Sequence, residues 1–149
     1  MTGFGLNEKK TVVDTELLAV AHLVLKVTNL KSSCQFYSNL GIPPFAIDGK
    51  MAISELRGGT HLLLFEVNQP GLEDLAESLT GQFQKRFSER FDLMIKGKGL
   101  DELKQYRSEV ISRGIAAGEI PDETFYGHHL FCIKDPDWNG ITIYTSHQI

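Results

Sequence analysis

The chain has 149 residues, a net charge of −4 and 42% hydrophobic residues. That length suits one domain with a sizeable core, and the charge leaves no basic footprint for nucleic acid. Two cysteines, Cys34 and Cys132, are too few for a disulfide framework and read as buried thiols.

Residues 1–15 are polar and glycine-containing and read as a loose arm. Residues 1–16 lack the basic-then-apolar order of a secretory signal, and the apolar run over 17–25 is too short to cross a bilayer. A cytoplasmic protein without a membrane partner is the expectation.

Residues 16–27 read as a mostly buried strand, with Leu23, Leu25 and Val27 on one face and His22, Val24 and Lys26 on the other. Asn29 is a plausible N-cap for a helix over 30–40, stopped by Gly41 and then Pro43-Pro44. Short strands follow over 45–47 and 51–56 around an Asp48-Gly49 turn. Arg57-Gly58-Gly59 is the next turn, and residues 61–67 the next strand.

Leu72, Leu75, Leu79 and Phe83 fall three or four apart, which predicts a helical connector over about 72–88. A second helix spans 100–113, with Leu100, Leu103, Tyr106, Val110 and Ile111 as its buried stripe and Gly114 as its stop. Strands are expected near 118–120, 126–133 and 140–145. Asp135-Pro136-Asp137-Trp138-Asn139-Gly140 forms the last turn, with Pro and Asn-Gly supplying its special backbone angles. His128 and His129 are adjacent on a strand, so one faces in and one out. His147 reads as a solvent residue, and Glu66 as the surface end of its strand.

The chain repeats itself. Leu23, Leu25, Lys26, Leu30, Gln35 and Phe36 recur seventy positions later as Leu93, Ile95, Lys96, Leu100, Gln105 and Tyr106. A repeat this long is a whole supersecondary unit, and two copies build one domain about a pseudo-twofold axis. Module one covers about 17–69 and module two about 90–146 within the single domain 1–149.

Three passages carry a family resemblance. They are the run from His22 to Gly41 with its Phe36-Tyr37 and Leu40-Gly41, the run Gly58-Gly59-Thr60-His61-Leu62-Leu63-Leu64-Phe65, and the hairpin from Asp135 to Tyr144. With the repeat, they resemble the vicinal oxygen chelate superfamily of glyoxalases, bleomycin-resistance proteins and extradiol dioxygenases. The resemblance implies an α+β fold of two βαβββ modules forming a cupped mixed-sheet cleft. Catalytic members hold one divalent metal (Fe, Mn, Ni or Zn) on four positions, one on the first and one on the last strand of each module. Here those positions fall on His22, Leu63, Asp92 and Thr142. Leucine cannot ligate and neutral threonine ligates weakly, so the usual site is incomplete.

His22 and Asp92 are repeat mates and the candidate catalytic pair, since a carboxylate beside an imidazole suits a general base. A buried pair holding the modules together is the plain alternative. A shift of the closing strand would bring His61 to them as a reduced metal site of two histidines and one carboxylate. Lys26 and Lys96 favour an oxygen-rich or anionic ligand, with Phe65, Thr142 and Tyr144 as its lining. The leading expectation is a small-molecule binder that works as a homodimer. The alternative is a metal-dependent lyase, isomerase or dioxygenase with an altered ligand set.

Overall fold

The computed structural model describes residues 16–17, 20–67, 89–96 and 99–145. The expected arm, the helical connector and His147 lie outside these residues.

Module one runs β1 (His22–Val27), α1 (Leu30–Leu40), β2 (Ala46–Asp48), β3 (Met51–Glu55) and β4 (His61–Glu66). Module two runs β5 (Arg90–Met94), α2 (Leu100–Ser112), β6 (Leu130–Lys134) and β7 (Gly140–Tyr144). The strand order is β1-β4-β3-β2 in the first sheet and β5-β7-β6 in the second. In both modules the opening strand pairs parallel with the closing strand. Leu23 on β1 and Leu93 on β5 therefore hold equivalent places, as the repeat requires.

Local chemistry sets the helix ends. The Asn29 side chain accepts the Ser32 N–H at 2.9 Å, and Gly41 ends α1 at φ 109, a left-handed angle that suits glycine. Glu66 adds a second cap by accepting the Leu30 N–H at 2.9 Å. That carboxylate turns under α1 rather than ending its strand in solvent, and it favours the positive end of the helix dipole. In α2, Glu102 reaches back to the Gly99 N–H at 2.9 Å.

Each sheet buries one face against helices. Leu25, Val27, Leu62, Leu64 and Ala52 meet Tyr37 and Leu40, while Ile141, Ile143, Phe131 and Ile133 meet Leu103 and Val110. The buried stripe of α2 excludes Ile111, which is 43% exposed. Leu103, Tyr106 and Val110 follow the helical spacing that turns Ile111 away.

The modules are joined by polar contacts. Tyr37 donates its hydroxyl to Asp135 Oδ2 at 2.7 Å, and Thr28 donates Oγ1–H to Asp137 Oδ1 at 2.7 Å. Tyr106 donates to the Leu40 carbonyl, and Arg113 to the Asn39 carbonyl at 3.0 Å. Burial pushes the Tyr37 phenol far above its ordinary value, with Asp135 adding to the shift. Burial also pushes the Tyr106 phenol up to about 12.

Several local expectations need correction. No strand forms over 118–120. Arg107 donates to the Gly118 carbonyl at 2.7 Å and so withdraws that acceptor from a ladder, while the Gly118 N–H still donates to the Cys132 carbonyl of β6 at 2.9 Å. In the last turn the positive φ falls on Trp138, at 68°, rather than on Gly140. Cys132 is exposed on its sheet and only Cys34 packs towards the core; burial raises the Cys34 pKa. His128 and His129 precede β6 and are both half-buried. The His128 ring lies 2.8 Å from the Thr145 carbonyl, and the His129 N–H donates to Thr145 Oγ1 at 3.0 Å.

Candidate functional site

The sheets are separate, with β1 and β5 as edge strands. A cavity of about 810 Å³ opens where residues of both edges meet the C-terminal end of α1 and one side of α2. Its walls include the repeat mates Leu23 and Leu93, with Leu40, Ile42, Leu56 and Ile143. Such a volume, apolar with a few polar groups, is within the ordinary range of small-molecule sites.

The polar groups lining it differ in availability. Glu102 is engaged at the start of α2, and Glu109 lies 3.7 Å from Arg113 and accepts from Gln105 at 3.4 Å. Tyr106 is spent on the Leu40 carbonyl. Arg57, Lys96 and Asp92 also line the cavity. They are exposed and make no hydrogen bond or ion pair among the described residues.

The faces of the sheets turned from the helices form a second candidate region. On the first, one row across the strands is His22, His61 and Glu55; the next is Val24, Leu63 and Ile53; the third is Lys26, Phe65 and Met51. The His61 ring centroid is 5.6 Å from that of His22, and its Nε2 is 3.4 Å from Glu55 Oε1. Phe45 meets the same His61 ring edge-on at 5.6 Å. On the second sheet, Asp92 lies in register with Thr142 and Cys132, and Met94 with Tyr144 and Leu130. Burial raises the Tyr144 phenol, and Asp92 and Cys132 add to the rise.

The sequence-derived site residues therefore divide. His22 and His61 come together. Asp92 stands on the other sheet and lines the cavity, as Lys96 does, whereas His22, His61, Lys26, Phe65, Thr142 and Tyr144 are not among its walls. The register also corrects the closing strand. His61, not Leu63, lies opposite His22, while Leu63 lies opposite Val24.

Two residues were missed from sequence. Glu55 was legible in principle, because the β3–β4 hairpin folds symmetrically about Gly58 and so pairs Glu55 with His61. Arg57 sits in the same turn and was read only as turn chemistry.

The model of the Glyoxalase/Bleomycin resistance protein/Dioxygenase superfamily matches residues 19–143. The chain belongs to this superfamily. No curated protein matches it. Among solved structures it is similar to an integron cassette protein from the mobile metagenome of the Halifax Harbour sewage outfall, at 15% identity and a TM-score of 0.65, covering 87% of this chain and 99% of that one. Oxidase ChaP-H1 is similar at 16% identity and a TM-score of 0.60, over 87% and 96% of the two chains. A glyoxalase-related enzyme from Fulvimarina pelagi is similar at 18% identity and a TM-score of 0.60, over 87% and 89%. At these identities the likeness establishes the fold alone.

Catalytic members of the superfamily use a divalent metal, and this chain's donors can be tested against one. Thr142 is the in-register partner of Asp92, and a neutral hydroxyl is a weak ligand. Among the described residues no three His, Cys, Asp or Glu side chains gather closely enough to hold a metal ion. Among the described residues the donor set does not fit a resident metal.

The superfamily's Asp-Pro-Asp hairpin has a structural task here. Asp135 Oδ1 accepts the N–H groups of Asp137 and Asn139 at 2.9 Å each, and its Oδ2 accepts from Asn139 and Tyr37. Asp137 accepts the Thr28 N–H and hydroxyl. The motif shapes its own turn and fastens module two to the β1–α1 corner of module one.

Proposed function

We propose that this chain is a small-molecule-binding member of the superfamily, holding a small, oxygen-rich or anionic organic ligand between its modules. The observation that carries the reading is the cavity of about 810 Å³ with a mostly apolar lining and a few unengaged charges. Binding of this kind needs a shaped apolar site and sparse polar anchors, without a metal. A ligand that binds only the folded state raises the melting temperature. A thermal-shift screen of small organic acids and polyols on the wild type and on Leu23→Trp tests it. The larger Trp side chain would obstruct part of the cavity, so stabilisation should weaken in the variant. Equal stabilisation in both proteins would refute the reading.

The same proposal includes a homodimer. Val24, Phe65 and Met94 on the open sheet faces are 55%, 39% and 59% exposed. Apolar surface of that kind favours a partner, and closed twofold symmetry is the commonest outcome for small homo-oligomers. Light scattering should give twice the chain mass at micromolar concentration; the monomer mass would count against it.

One observation favours a second reading, an enzyme of lyase, isomerase or dioxygenase type. His61 beside both Glu55 and His22 is the arrangement of an oriented acid–base pair. Metal analysis of the purified protein separates the readings. Stoichiometric iron, manganese, nickel or zinc that is lost in His22→Ala would favour the enzyme, and its absence after reconstitution the binder.

A further inference from the structure

We infer that the cavity between the modules selects an amphiphilic carboxylate, an apolar body with one anionic end, and that Arg57 and Lys96 are its anchors. The inference rests on the ligand-binding reading above and names the ligand class for that site.

The protein carries a net charge of −4, and two cationic and three anionic side chains line the cavity, differing in what already engages them. Glu102 is committed to the Gly99 N–H and Glu109 to Arg113 and Gln105. Arg57, from the β3–β4 turn of module one, and Lys96, just beyond β5 of module two, line the same cavity without partners among the described residues. A guanidinium presents a planar fork that matches a carboxylate, and an ammonium adds a point charge with three donors. The hydrocarbon walls of the cavity, Leu23, Leu40, Leu93 and Ile143 among them, have no hydrogen-bonding capacity and suit an apolar body.

Asp92 is the opposing charge. It also lines the cavity and makes no hydrogen bond or ion pair among the described residues, but its strand alternation sets it with Thr142 and Cys132 on the open sheet face, opposite to Leu93. Its field still disfavours an anion nearby. Neutralising it should therefore tighten binding of the carboxylate. Lys26 has no part in this site, because it lies on the open face beside Phe65 and outside the cavity walls.

The test is calorimetric titration of the full chain with decanoate, decanol and decylammonium, which share one apolar body, each kept below its solubility or micelle limit. Decanoate should bind roughly tenfold or more tightly than decanol, the scale of a charge-assisted hydrogen bond, and decylammonium should bind most weakly. Arg57→Gln with Lys96→Gln should bring decanoate down to decanol's affinity, and Asp92→Asn should bind decanoate more tightly than the wild type. Arg57 and Lys96 are exposed, and an unchanged urea midpoint in the double variant would show that its fold is intact. The conservative pair Arg57→Lys with Lys96→Arg should retain the preference. Equal affinity for decanoate and decanol would overturn the anchors and leave the ligand-binding cavity standing. A preference for decylammonium would overturn the charge assignment. Failure of all three to bind would overturn the cavity as a ligand site and this inference with it.

Discussion

Tyr37 of α1 donates its hydroxyl to the carboxylate of Asp135, 98 residues further along the chain, at 2.7 Å. Both side chains are buried, at 0% and 4% exposure. Removing the donor would leave a buried carboxylate short of one bond, so Tyr37→Phe should destabilise the protein by about 1–3 kcal/mol. Urea unfolding checks this. The midpoint should fall with an unchanged slope, the pattern of a stability change without a change in compactness. An unchanged midpoint would mean that the contact does not hold the modules together.

The same tyrosines give an alkaline limit to stability. Tyr37 and Tyr106 both have phenols raised above the ordinary value of 10.0, Tyr106 to about 12. Above pH 10 the unfolded chain ionises these groups while the folded protein keeps them protonated. The unfolded state then binds fewer protons, and stability falls as pH rises. Their contribution is fully present below about pH 10 and is lost progressively above it. Urea midpoints measured between pH 8 and 12 should fall along that range, and Tyr37→Phe with Tyr106→Phe should flatten the fall. An equally steep fall in the double variant would assign it to other groups.

Trp138 occupies a left-handed backbone conformation at φ 68. A side chain there is strained by about 1–2 kcal/mol, which glycine relieves at some expense in unfolded-chain entropy. Trp138→Gly should therefore unfold within about 1 kcal/mol of the wild type. Trp138→Val should be less stable than Trp138→Gly, because a branched β-carbon fits this region worst. Thermal denaturation of both variants distinguishes them, and a Val variant as stable as the Gly variant would show that the turn relaxes to another conformation.

Much of the fold was written in local signals. Asn29, Gly41 and the apolar spacing between them gave both ends of α1, and the Leu23–Leu93 repeat gave the two modules. These signals depend on neighbours a few residues apart. What could not be read depends on distant partners. Arg107 withdraws the Gly118 carbonyl from an expected strand over 118–120, and nothing near Gly118 announces it. The closing strand slipped because a repeat with unequal loops aligns strands without fixing their pairing, so His61 rather than Leu63 came to lie beside His22. The repeat grouped Asp92 and Lys96 with His22 and Lys26 in one cleft, whereas the cavity is lined by Asp92 and Lys96 without His22 or Lys26. Arg57 was read only as turn chemistry, since a turn residue comes to line a cavity only when the other module stands opposite it.

The central claim, that the ligand sits between the modules, is tested most directly by methyl NMR of the labelled Leu, Ile and Val residues during titration with decanoate. Shifts are expected at Leu23, Leu40, Leu93 and Ile143, which line the cavity, with Val24, Ile53 and Leu63 on the open sheet face undisturbed. Shifts confined to Val24, Ile53 and Leu63, with the cavity methyls unmoved, would contradict it.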